Sequence, residues 1–125
     1  MPGASRPLSP YWIYRWQITM WLSSLHRITG LLLSLGAVAL AAWLIALASG
    51  PAAFADVQAV YASPWFKVPL IAWTFCFCLH LTNGVRHLCW DAGVGFDRGA
   101  IRASGWTVLL VTLVATATFA LLVIV

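Results

Sequence analysis

Long apolar runs broken by short polar stretches dominate the chain, and three of the runs are long enough to cross a bilayer. A spanning helix needs about 20 mostly apolar residues in succession. The first run covers residues 18–49, the second 64–92 and the third 104–125. Strict period-two alternation is absent, which argues against a membrane β-barrel. The pattern predicts an all-α membrane protein, with a leader at 1–17 and a transmembrane domain of three helices at 18–125. Gly50-Pro51 ends the first helix, and Trp90-Asp91-Ala92-Gly93 closes the second. The stretches 50–63 and 93–103 read as connections.

Polar residues inside the runs fall on ordered faces. Ser23, Arg27, Gly30, Ser34 and Ala41 follow helical spacings and share one side of the first helix. Gly30 and Ser34 suit close approach of another helix backbone, so Ser23 and Arg27 are expected to face protein or a cavity. His80, Gly84, His87 and Asp91 share a face of the second helix, where Gly84 leaves room for something flat and bulky. The third helix offers only threonines, which read as packing or back-bonding groups.

Composition sharpens the class. Of 125 residues, 62% are hydrophobic and 8% charged, whereas about a quarter of residues are charged in soluble domains. The net charge of +4 reads as topology, not as nucleic-acid binding. Arg6, Arg15 and Arg27 precede or begin helix one, while Arg86, Arg98 and Arg102 cluster around the second connection. The positive-inside rule then places the N-terminus and second connection on the cytoplasmic or matrix side. Trp12, Trp16, Trp21, Trp90 and Trp106 would mark the inner interface; Trp43, Tyr61 and Trp65 would mark the outer one. The leader has prolines that oppose helix, then an aromatic-basic stretch suited to the headgroup zone. It has neither a signal-peptide nor a transit-peptide pattern, which favours a bacterial inner membrane over a mitochondrial one. Cys76, Cys78 and Cys89 are too few for a structural zinc and read as small hydrophobes.

Ionisable groups at membrane depth are costly and mark functional sites. His80 lies twelve residues before Ala92, about 18 Å from the inner surface at 1.5 Å per residue. A buried imidazole there can be a satisfied structural group, a proton relay or an axial ligand to haem iron. His87 lies about 10 Å further along the same face, beside Arg86. That separation is comparable to the distance from a porphyrin centre to its carboxylates. Ser23 and Arg27 pair a hydroxyl donor with a guanidinium. They can bind a carbonyl oxygen that becomes anionic on reduction, as a quinone requires, or serve as a packing serine and a snorkelling arginine. No nucleotide loop, nucleophile with base, or carboxylate pair accompanies them.

Read in order, these motifs resemble one family. Arg6-Pro7-Leu8-Ser9-Pro10, Tyr14-Arg15, Ser23-Ser24-Leu25-His26-Arg27-Ile28-Thr29-Gly30 and His80-Leu81-Thr82-Asn83-Gly84-Val85-Arg86-His87-Leu88-Cys89-Trp90-Asp91-Ala92-Gly93 are similar to the cytochrome b556 membrane anchors of succinate dehydrogenase, respiratory complex II. The resemblance implies that the three helices belong to a hetero-subunit bundle. It implies His80 as one axial ligand of a haem b, the second ligand coming from another small membrane subunit. Ser23 and Arg27 would line a ubiquinone pocket, with His26, Arg86 and His87 as propionate contacts or pocket support. FAD and iron–sulfur clusters would reside only in the flavoprotein and iron–sulfur partners, so no dicarboxylate-oxidising site is expected in this chain. One departure is the leader, where Tyr11 stands in place of the histidine of a Ser-Pro-His-Leu pattern. The alternatives are a haem-free membrane tether, a small transporter subunit, and the anchor of a fumarate reductase, in which the same electron path runs backwards.

Overall fold

A computed structural model describes Ile13 and residues 15–124, with side chains to Val123. The Pro-rich leader and Tyr11 lie outside the described residues. Four helices follow: α1 (Ile18–Ser49), α2 (Pro51–Tyr61), α3 (Pro64–Asp91) and α4 (Arg98–Ile124). Three of them, α1, α3 and α4 to Val123, are long and apolar enough to cross a membrane.

Each boundary has a local cause. Gly50 takes φ 112°, a value that L side chains rarely adopt, and breaks α1 from α2. Pro51 then occupies the first turn of α2, where its missing N–H costs no helical bond. Pro64 repeats the device at the start of α3. The end of α3 is a Schellman turn. Gly93, at φ 80°, donates its N–H to the Trp90 carbonyl at 2.8 Å, and Val94 donates to the Cys89 carbonyl at 2.9 Å.

Two elements depart from the sequence expectation. The connection at 50–63 contains α2, an 11-residue helix. It is tied back to α1 by Trp43 Nε1 donating to Gln58 Oε1 at 3.1 Å and Tyr61 Oη donating to the Ala39 carbonyl at 2.7 Å. The last helix begins at Arg98, not at residue 104. The Asp97 carbonyl accepts the Ile101 N–H at 2.8 Å, and the helix runs through a polar first turn before its apolar stretch begins. Hydropathy marks where a helix enters lipid, not where it starts winding.

Helix α3 is central and packs against both α1 and α4. The buried side chains are few: Leu22 and Thr29 from α1, Cys76, Leu79, Asn83 and Arg86 from α3, Val108 and Thr112 from α4, with Ala46 apart. Thr82 and Thr112 hydrogen-bond across the α3–α4 seam at 3.2 Å. Small residues set the helix spacing. A Cβ on Gly105 would lie 3.0 Å from Ile18 Cδ1, and one on Gly36 would overlap the Trp73 indole. Large apolar side chains such as Leu31, Leu35, Val38 and Leu122 remain exposed, as suits lipid or partner helices.

Candidate functional site

Three imidazoles from two helices come together. His80 and His87 lie seven residues apart and so share a face of α3, and His26 of α1 packs against that face. The His26 and His80 rings are stacked, with centroids 3.8 Å apart and planes 8° from parallel. The His87 ring is 5.6 Å from His26 and 5.1 Å from Trp90, edge to face. The space expected above Gly84 is taken by an imidazole: a Cβ there would touch His26 Cε1 at 3.9 Å. On the α1 side, a Cβ on Gly30 would come within 3.0 Å of His80 Cε1. Glycine at 30 therefore lets the His80 ring lie against the α1 backbone.

The polar contacts of His80 converge on one ring nitrogen. Nδ1 is 3.1 Å from the His26 carbonyl oxygen and 3.3 Å from Thr29 Oγ1. The Thr29 hydroxyl donates back to its own helix, at 2.8 Å from the Leu25 carbonyl and 3.1 Å from that of His26. A carbonyl only accepts, so Nδ1 is the donor in this contact, and in the neutral imidazole the lone pair is then on Nε2. Among the described residues nothing in the chain bonds Nε2. The Nδ1 of His26, by contrast, is buried without a partner.

The other expected residues fall in different places. Arg86 is buried and directed into the α3–α4 seam. Its Nε donates to Ser104 Oγ at 2.9 Å, Nη2 to the Ile101 carbonyl at 3.1 Å, and Nη1 to Asn83 Oδ1 at 3.4 Å. Its guanidinium also lies 4.0 Å over the Trp90 ring. Nε and Nη2 thus fasten α3 to α4, while the Asn83 bond stays within α3. Ser23 is half-buried, and Arg27 is exposed with no hydrogen bond or ion pair among the described residues. Ser34, expected at a helix contact, is exposed and bonds the Gly30 carbonyl of its own helix; Gly36, which lies against Trp73, is about 200° further round α1. Cys76 is buried, Cys78 half-buried and Cys89 exposed, all unpaired.

Two clefts open in the bundle. One, of about 650 Å³, is lined by α1, α2 and α3 residues including Gly36, Trp43, Tyr61, Phe66 and Trp73. The other, of about 560 Å³, lies between α3 and α4 and includes Arg86, Trp90 and Ser104. Ser23, Arg27 and the three imidazoles line neither. The imidazoles lie part-buried where α1 meets α3, and Arg27 is exposed on α1.

Sequence comparison gives this geometry a context. The family model described as succinate dehydrogenase/fumarate reductase transmembrane subunit matches residues 3–119. The succinate dehydrogenase cytochrome b556 subunit of Rickettsia prowazekii (strain Madrid E) is 36% identical over 112 residues, covering 89% of this chain and 87% of the relative. That of Rickettsia felis is 38% identical over 114 residues, with the same coverage. The mitochondrial succinate dehydrogenase cytochrome b560 subunit of Sus scrofa is 35% identical over 122 residues, covering 91% of this chain and 69% of the relative.

Proposed function

Because the chain belongs to the succinate dehydrogenase/fumarate reductase transmembrane-subunit family, we propose that it is the membrane anchor of a succinate:ubiquinone oxidoreductase. In this reading it seats the iron–sulfur and flavoprotein subunits on a bacterial inner membrane, N-terminus cytoplasmic. It supplies one axial ligand, His80, to a haem b shared with a second small membrane subunit. Ser23 and Arg27 form its share of the quinone-reduction site. The leader, with Trp16 and Trp21 rings 4.9 Å apart at the start of α1, rests in the headgroup layer.

The observation that carries the haem assignment is the contact of His80 Nδ1 with the His26 carbonyl. Metal-binding histidines typically donate one ring N–H to a carbonyl or carboxylate while the other nitrogen takes the metal. His80 meets that requirement through the His26 carbonyl at 3.1 Å. The stacked His26 ring and the close backbone at Gly30 restrict rotation of the imidazole. The residues therefore fit a haem, which when bound supplies one-electron chemistry beside the electron path. His26 and His87 lie near enough to each other to offer donors to its propionates, and Arg86 supports the wall behind His87 through Trp90. Shared ligation requires a facing helix from the second membrane subunit to complete the site, and the apolar flanks of this chain are exposed to receive one.

At the quinone, the Ser23 hydroxyl donates to a ring carbonyl. The Arg27 guanidinium, without a partner among the described residues, stabilises negative charge developing on that oxygen. Affinity purification of the native assembly from its membranes, with an optical redox spectrum, tests this function. The expected result is co-purification of flavoprotein, iron–sulfur protein and a second small membrane subunit, with b-type absorbance. A fully assembled complex without Soret absorbance would instead identify a haem-free tether.

A further inference from the structure

Thr29 is the residue nearest His80 to which no role is yet attached. It is 3% exposed, on the same α1 turn as His26, and its Oγ1 stands 3.3 Å from His80 Nδ1. The hydroxyl has a single proton, and the shortest of its acceptor contacts, the Leu25 carbonyl at 2.8 Å, takes it. Toward His80 the oxygen can then only accept. The Nδ1–H is consequently shared between Thr29 Oγ1 and the His26 carbonyl, a three-centre bond. A peptide carbonyl has two lone pairs, so the His26 oxygen can accept the N–H of its own helix and the His80 Nδ1–H together. Thr29 is buried, and an acceptor in a low-dielectric setting acts more strongly than in solvent.

On the reading that His80 ligates a haem, we infer that Thr29 is a positioning residue that sets the electronic character of that ligand. An acceptor on the distal N–H increases the basicity of the coordinating nitrogen. A more basic imidazole favours the ferric over the ferrous state, so the Thr29 oxygen lowers the haem midpoint potential. The back-bond to Leu25 is what aims the lone pair, and a serine retains that bond while a valine retains only the shape.

Redox potentiometry of the haem in the purified, fully assembled complex is the test, comparing wild type, Thr29→Val and Thr29→Ser. Thr29→Val is expected to shift the equilibrium toward ferrous haem by about threefold, or about 30 mV upward at about 59 mV per tenfold for one electron. Thr29→Ser is expected to remain near wild type. A Thr29→Val potential equal to wild type overturns the inference, and so does an equal shift in both variants, which would mark a packing effect. Should Thr29→Val fail to assemble, Thr29→Ala is read in its place by the same rule. His80→Leu is measured in parallel. If its reduced-minus-oxidised spectrum matches wild type, the ligand assignment itself falls; if that spectrum changes while Thr29→Val leaves the potential alone, only the role of Thr29 falls.

Discussion

Arg27 has no hydrogen bond or ion pair among the described residues, whereas Arg86, also in a spanning helix, donates from all three guanidinium nitrogens. In the proposed function that free guanidinium serves the quinone, since a charge in a spanning helix is a functional-site candidate. Arg27→Leu should lower quinone reduction by the assembled complex on the order of 10²-fold, the usual scale for losing one preorganised charge stabiliser. Dye reduction by the hydrophilic subunits should stay intact, and equal loss of both activities would contradict a quinone role. At this scale the spacing of His80, Gly84 and His87 was readable because helical periodicity places them on one face. What the pattern could not reveal was the neighbour: His26 fills the space over Gly84, and Thr29 looks like any back-bonding threonine until α1 is laid against α3. Gly36 was likewise hidden, since only the packed indole of Trp73 shows why no side chain fits there.

Among the elements, α1 and α3 announced themselves through unbroken apolar runs, and their ends through Gly50, Pro64 and Gly93. Helix α2 was missed because an Ala- and Val-rich segment of 11 residues is too short to span and was read only as a connection. Its Pro51 start and the aromatic residues that tie it to α1 were the available signals. The start of α4 was obscured because a polar helical turn resembles a loop when hydropathy alone is consulted. The α3–α4 seam rests on Arg86, which bonds Ser104, the Ile101 carbonyl and Asn83 in the interior. Removing its side chain deprives the buried Asn83 Oδ1 of its donor, at about 1–3 kcal/mol for an unsatisfied group, and loses both bonds from α3 to α4. Arg86→Ala should therefore reduce the resistance of the assembled complex to thermal or detergent unfolding, with little change in the haem potential. A large potential shift with unaltered stability would show instead that Arg86 faces the propionates.

As a whole, the molecule leaves much apolar surface uncovered: its flanks are exposed, its imidazoles and Arg27 sit outside the two clefts described above, and its buried side chains are few. Composition and charge bias made the membrane class readable from the sequence. The partner that closes the site leaves no mark in a single chain, beyond the surfaces it would cover. The central claim, that His80 coordinates iron in an assembly of several chains, is tested most directly by a cavity variant. His80→Gly in the assembled complex should lose or alter the low-spin b-type spectrum, and added imidazole should restore it by occupying the vacated position. A spectrum identical to wild type in the His80→Gly complex, with or without imidazole, would contradict the account.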